Sequence, residues 1–231
     1  MFNLSQWRYV AGELLTRAGA HSSAIFIRRL EMLLNYLETG RWLKANGFVV
    51  PRRSKSRDEV FEAVVREVKD NQVLYLEFGV CEGETMRYWS GHLMNPRSCL
   101  HGFDSFEGLP ESWNIWRPKG CFSTAGKIPE ILDARVTFFK GWFHETLPDY
   151  MLPAHEQLVI NIDSDLYESA KLVLTKLKAS ITIGTYLYFD EFHDIQHELK
   201  AFREFLADTG ARFEIVAAFR DLSAVMFRRI T

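Results

Sequence analysis

The sequence predicts an α/β protein: helices at the N-terminus, followed by a largely parallel sheet that ends in an antiparallel hairpin. Three observations carry this. After residue 72, short β-rich runs alternate with helical segments, the mark of right-handed βαβ units. The last two runs, in "FEIVAAFRDLSAVMFRR", are joined by a turn too short for a helical crossover, so that pair is antiparallel. The chain has 231 residues, 47% apolar and 25% charged, which suits one α/β domain with an appendage.

Taken in order, residues 5–46 read as helices. In "SSAIFIRRLEMLLNYLETG", Ile25, Leu30, Leu33, Leu34 and Leu37 fall at helical spacings, with Ser23 as N-cap and Gly40 as a stop. "PRRSKSRDE" (51–59) is a polar, basic connector that ends at a cap, Ser56 or Asp58. A helix follows from about Asp58 to Lys69, with Val60, Phe61, Val64, Val65 and Val68 on one side. Strands are expected at "VLYLEF" (73–78), "CLHGFD" (99–104), "VTFF" (136–139), "LVINID" (158–163) and "TYLYFD" (185–190). Helices are expected at 84–94, 167–179 and about 194–207, the last stopping at Gly210. The chain therefore divides into an N-terminal helical extension (1–57) and a sheet domain (58–231).

The net charge of −2 hides an asymmetry. Residues 1–57 carry ten Lys/Arg against three Glu, about +7, and the remainder is about −9. The basic residues are spread rather than clustered, which points to a solvated helical face and away from a nucleic-acid interface, with a membrane-surface or anionic-substrate role as the alternative. The apolar stripe of these helices has no sheet to cover, so the extension is expected to form a lid or a homodimer contact. Cys81, Cys99 and Cys121 lack CxxC spacing and leave an odd one over, as reduced thiols of a cytoplasmic protein do. No apolar run approaches the roughly 20 residues of a membrane span, and the N-terminus lacks a signal-peptide pattern.

Open parallel sheets bind ligands beyond the carboxyl ends of their strands. Here nearly every strand delivers acid to that rim: Glu77 before Gly79, Asp104 before Ser105 and Phe106, Asp163 with Asp165, and Asp190 with Glu191. The third strand, 136–139, leads instead into Gly141 and Trp142. Glu77 and Asp104 lie one βαβ unit apart. An acid at the second position accepts hydrogen bonds from a ribose diol, while a Glu at the first repels a pyrophosphate. A ligand with a ribose, no phosphate and a cationic group fits, as S-adenosylmethionine does. The plainer alternatives are a water-facing Glu77 and an Asp104 that only forms a turn.

Asp163, Asp165, Asp190 and Glu191 should converge, because their strands should be neighbours. Carboxylates that close raise one another's pKa unless a cation compensates. A hard divalent ion, Mg²⁺ first, takes oxygen ligands in such a set. Alternatively some of these acids only cap helices, Asp165 the helix at 167. His144 in "GWFHETLP" and His193 are further candidates for a base. Tyr167 and Glu168 open a helix beside the acids, Trp142 is placed to stack on an adenine, and Phe138, Phe139, Leu172 and Leu199 are expected in the core.

The motifs "LYLEFGVCEGETMRYWS", "HGFDSFEGLPESW", "KGWFHETLP", "NIDSDLYESAKLVL" and "YLYFDEF", in that order over roughly residues 47–228, resemble the macrocin O-methyltransferase family. The resemblance implies a Rossmann-like class I methyltransferase fold with a seven-stranded sheet, and an S-adenosylmethionine- and Mg²⁺-dependent enzyme that methylates a hydroxyl of a sugar or other diol-bearing natural product. It implies cofactor contacts at Glu77, Phe78, Gly79, Asp104, Ser105, Phe106 and Asp163, with Gly141 and Trp142 near the adenine. It implies metal ligands at Asp163, Asp190 and Glu191, and proton abstraction from the small-molecule acceptor by Asp163, with His144 the other candidate base read from the residues. The family's D-G-D reads Asp163-Ser164-Asp165 here, and its D-D pair reads Asp190-Glu191, one methylene longer at the second ligand. The loop after "FDSFEGLPE" is shorter and lacks the expected histidines. Two other readings of the same acids remain: a metal-dependent hydroxylase using Mg²⁺ or Fe²⁺ with O₂, and a methyltransferase-like module that binds a partner without turnover.

Overall fold

The computed structural model describes residues 4–51 and 53–231. Two helices come first, α1 (Leu4–Ala20) and α2 (Ala24–Ala45). Ser23 caps α2, its Oγ accepting the Phe26 N–H at 3.2 Å. Gly40 does not stop α2, which runs on to Ala45. Beyond Gly40 the helix is held by packing: Leu43 is buried, and the Trp42 ring lies against Phe48, Phe192 and Phe202. Those contacts outweigh the roughly 1 kcal/mol that a helical glycine costs.

The docked face of α2 is also not the expected one. Asn35, Thr39 and Leu43 are its buried residues. The apolar set Ile25, Leu30, Leu33, Leu34 and Leu37 faces outward, with Leu37 70% exposed. An expected lid or homodimer contact would have to form on that outer stripe.

The basic connector contains a two-residue strand, β1 (Arg53–Ser54), which pairs in parallel with a late strand. Helix α3 (Arg57–Val68) follows, capped by Ser56, with the five expected apolar residues buried. The alternating region then gives β2 (Val73–Phe78), α4 (Glu84–His92), β3 (Cys99–Asp104), β4 (Val136–Lys140), the one-turn α5 (Phe143–Thr146), β5 (Gln157–Ile162), α6 (Tyr167–Leu177), β6 (Tyr186–Phe189), α7 (Glu198–Thr209), β7 (Phe213–Phe219) and β8 (Val225–Arg229). Gly210 ends α7 in the left-handed conformation that glycine adopts without strain. The start of α7 falls later than residue 194, because Asp194 is buried and turned into hydrogen bonds with Trp113 and Gln196.

The sheet order is β1-β7-β8-β6-β5-β2-β3-β4, the expected seven strands plus β1. β8 is antiparallel to both of its neighbours, and the other pairs are parallel. The direction of winding reverses between β2 and β5. That is the topological switch point where open α/β sheets leave a crevice at the strands' carboxyl ends. Glu77 pairs with Asn161 and Phe78 with Ile162, so β2 and β5 end level with each other.

Alternation along the strands feeds a core on each face. Leu74, Leu76 and Phe78 join α6, α7 and the end of α2. Val73 and Tyr75 join α3 and α4, where Tyr75 stacks on Trp89 at 4.8 Å. We expect Leu43→Ala to cost about 2–4 kcal/mol in denaturant unfolding, while Leu37→Ser six residues away stays within about 0.5 kcal/mol. Equal costs would contradict the observed docking face.

Candidate active site

A cavity of about 1180 Å³ opens over the carboxyl ends at the switch point. Glu77 and Gly79 reach it from β2, Asp104 and Ser105 from β3, and Gly141 and Trp142 from β4. Asp163 and Asp165 reach it from β5, and Asp190 and Glu191 from β6. Phe78 and Phe106 do not line it. Both rings are buried, Phe78 stacked on Phe103 at 4.8 Å, so any part they take in ligand binding falls to their backbone.

Glu77 is 1% exposed. Its Oε2 accepts the Tyr75 hydroxyl at 3.1 Å, and Asn161 Nδ2 donates to that hydroxyl at 3.1 Å. Burial pushes the Glu77 carboxyl up to about 8, against the pull of the Tyr75 hydrogen bond and of Arg57. A buried carboxyl that resists ionising lacks a cation, and an ammonium group supplies one.

Asp104 ties the turn together. Its Oδ2 accepts the N–H groups of Val80 and Cys81, each at 2.8 Å, and its Oδ1 accepts that of Phe106 at 2.6 Å. An ionised carboxylate offers about four acceptor positions, so one is left on Oδ1 for a ligand hydroxyl. The turn-forming and ligand-binding readings of Asp104 are therefore compatible. Gly79, at φ +97°, packs against the Asp163 carbonyl so tightly that a Cβ would sit 1.8 Å from that oxygen.

The acids at the ends of β5 and β6 are gathered by two residues that sequence reasoning passed over. Glu198, wholly buried at the start of α7, accepts the Ser164 N–H at 3.2 Å and the Glu191 N–H at 3.0 Å. It thereby clamps the two acid-bearing turns. Arg57, the first residue of α3, spans the two acids, with Nη2 3.0 Å from Asp163 Oδ2 and Nε 3.0 Å from Asp190 Oδ1. The Tyr188 hydroxyl donates to the same Asp190 oxygen at 2.5 Å. Burial alone would lower Arg57, but Tyr188, Asp190 and Asp163 raise it well above its ordinary value. Despite this partner, burial and then Asp190 hold Asp163 well above the carboxylate range. The same two causes put Asp165 at about 7 and Glu191 at about 8.

Other candidates separate. His144 is exposed on α5 at the cavity's edge, its Nε2 3.9 Å from Glu145 Oε1. His193 stacks on Tyr36 of α2 at 5.0 Å, with Nδ1 3.4 Å from Glu191 Oε2. Tyr167 turns to α7, its hydroxyl donating to Glu204 at 2.8 Å, whereas Glu168 lines the cavity. Asp165, at φ +61°, caps nothing: the N-cap of α6 is Leu166. Leu172 is a cavity-lining residue rather than core, Phe138 and Phe139 are half-buried, and Leu199 is buried as expected. Arg28, Met32 and Asn35 bring α2 into the cavity wall.

Residues 122–229 match the model of the macrocin-O-methyltransferase (TylF) family. Over that stretch the chain is similar to the macrocin O-methyltransferase family. The stretch holds Gly141, Trp142, Asp163, Asp190 and Glu191, while Glu77 and Asp104 precede it. The family resemblance read over residues 47–228 thus has its match in the C-terminal half.

Two relatives carry activities in their names. Demethyldecarbamoylnovobiocin O-methyltransferase of Streptomyces niveus is 33% identical over 92 residues, 40% of this chain and 34% of that protein. The 8-demethyl-8-(2,3-dimethoxy-alpha-L-rhamnosyl)-tetracenomycin-C 4'-O-methyltransferase of Streptomyces olivaceus is 33% identical over 129 residues, 48% of this chain and 47% of that protein. The chain spans less than half the length of these curated relatives.

Among solved structures, the O-methyltransferase NovP superposes with a TM-score of 0.58 at 24% identity over 75% of this chain and 78% of its own. A structure described as "cmcI-D160 Mg-SAM" superposes at 0.51 with 15% identity, covering 77% of this chain and 73% of its own. The chain therefore has the class I methyltransferase fold.

S-adenosylmethionine suits the residues present: Glu77 is a buried carboxyl short of a cation, and Asp104 keeps one acceptor position. A divalent metal suits them less. Hard oxygen donors are there, yet among the described residues no three His, Cys, Asp or Glu side chains converge on one point. The expected ligands Asp163 and Asp190 are bridged by Arg57, and Glu191 lies beside His193. As arranged, the three do not form a metal site.

The raised Glu77 carboxyl has a cost with a definite sign. Its folded value of about 8 exceeds the ordinary 4.5, so the associated stability is whole below about 4.5 and is lost as pH rises through 8. Glu77→Gln should therefore melt at least about 3 °C higher than wild type at pH 8 in the ligand-free protein, the gap closing near pH 4.5. A lower melting temperature for the variant at pH 8 would contradict an uncompensated Glu77.

Proposed function

We propose that the protein is an S-adenosylmethionine-dependent O-methyltransferase that methylates a hydroxyl of a sugar or other diol-bearing natural product. The observation that carries this is the level pairing of β2 and β5, which sets buried, cation-deficient Glu77 and the Asp163 carboxylate on one cavity. Bound S-adenosylmethionine supplies a methyl group on a positively charged sulfur. Glu77 holds the ammonium end, the free position on Asp104 Oδ1 takes a ribose hydroxyl, and Trp142 with Gly141 flanks the adenine.

Asp163 is the base. Arg57 occupies its Oδ2, and Oδ1 would receive the acceptor's hydroxyl proton as the acceptor's oxygen bonds to the methyl carbon and the methyl–sulfur bond breaks, its electron pair staying on a now neutral sulfur. Holding the acceptor beside this oxygen, against the wall that α2 and the 105–135 loop form, supplies the positioning part of the rate. His144, exposed at the rim, is the weaker claimant for the proton. Trp113, Trp116 and Arg117 from the loop and Met32 and Asn35 from α2 form a wall suited to a large, partly aromatic acceptor. That agrees with the rhamnosyl and novobiocin-type acceptors in the relatives' names. Mg²⁺ has no step in this reading. The three free thiols suit a reducing cytoplasm.

Asp163→Ala should lower methylation of a glycosylated aromatic acceptor panel by about 10²–10⁴-fold, followed by product mass, while S-adenosylmethionine affinity stays within a few-fold. A folded variant that has lost cofactor binding would reverse this division of roles.

A further inference from the structure

We infer that the Arg57 guanidinium, rather than a divalent metal, is the resident cation of the acid site, so that this chain's site is complete without metal. The inference deepens the methyltransferase reading and rests on it for what the site does.

The geometry is specific. Arg57 stands at the first position of α3, where the Ser56 cap fixes the helix start: its Oγ accepts the Glu59 N–H at 3.2 Å. From there the side chain reaches the ends of both β5 and β6 and takes one oxygen of each acid, each contact at 3.0 Å. Nε is also 3.3 Å from the Tyr188 hydroxyl, which itself holds Asp190. The guanidinium is thus locked by three groups on two strands. A planar fork of N–H donors matches carboxylates in this way, and its charge cannot be titrated away.

A metal held between these two acids would compete with the guanidinium that already bridges them. The third expected ligand does not come to the same point, because Glu191 Oε2 lies 3.4 Å from His193 Nδ1 and the Glu191 backbone is pinned by Glu198. The site also keeps a donor for chemistry: among the described residues no hydrogen bond is made by Arg57 Nη1, and Arg57 lines the cavity. Arg57 therefore acts as a positioning residue. It fixes Asp163 through Oδ2, leaves Oδ1 open, and offsets the charge of the acid pair.

The test is a Mn²⁺ titration of the full chain followed by electron paramagnetic resonance, with S-adenosylmethionine binding measured in parallel in chelator. Wild type should leave the free Mn²⁺ signal undiminished up to about 1 mM and bind S-adenosylmethionine equally with and without chelator. Arg57→Gln should take up one equivalent at least about tenfold more tightly than wild type, and Asp190→Asn in that background should abolish the uptake. Arg57→Lys, which keeps the charge, should remain metal-free and shows that the position tolerates change.

One equivalent of Mn²⁺ bound by wild type below 1 mM, and lost in Asp190→Asn, would overturn the inference. So would an Arg57→Gln variant that folds, by circular dichroism, and stays as silent as wild type. Failure of S-adenosylmethionine binding in every variant would strike the methyltransferase reading instead, since the Mn²⁺ readout does not depend on it.

Discussion

The close passage of Gly79 against the carbonyl of Asp163 is the constraint on which the site depends. No side chain fits there, since a Cβ would come within 1.8 Å of that oxygen. The Asp163 N–H meanwhile bonds to the Phe78 carbonyl at 2.9 Å. These contacts hold the ends of β2 and β5 together at the switch point. They make one crevice of what would otherwise be two separate strand ends, with Glu77 on one wall and Asp163 on the other. Asp104 closes the third side through its bonds to the N–H groups of Val80, Cys81 and Phe106.

Bringing so many carboxyls to one rim is costly, and the fold offsets the cost unevenly. On the β5–β6 side Arg57 faces Asp163 and Asp190, and Glu198 spends its own buried carboxylate on two backbone N–H groups. On the β2 side Glu77 has a phenolic hydroxyl as its hydrogen-bond donor. One half of the cavity holds a guanidinium between two of its acids, and in the other half Glu77 has only a neutral hydroxyl as its hydrogen-bond donor. A buried carboxyl whose ionisation depends on an arriving cation makes ligand binding and folding stability two sides of one equilibrium.

Much of this was legible in the sequence, because parallel strands buried on both faces are short continuous apolar runs and their last residues are chemically conspicuous. The strand set, the final antiparallel strand and the acids of the rim all follow from that. What escaped was information carried by partners. Arg57 reads as one more charge in the stretch "PRRSKSR", and only the fold shows that it reaches 106 residues ahead to Asp163. Glu198 reads as the polar start of an amphipathic helix. The docked face of α2 is hidden in the sequence because Asn35 and Thr39 are polar residues of the kind that usually face solvent. Both are buried, Thr39 with its hydroxyl 3.4 Å from the His193 carbonyl and Asn35 in the cavity wall. The apolar stripe beside them is left outward. β1 is two residues long and has no periodicity to detect.

The most direct test of the central claim, that Glu77 waits for a cationic ligand, is calorimetric titration of S-adenosylmethionine at pH 7 in buffers of different ionisation enthalpy. The account predicts micromolar binding at one site with release of between about half and one proton, as the Glu77 carboxyl gives up its proton to meet the ammonium group. Binding without proton release, or no binding at all, would contradict it.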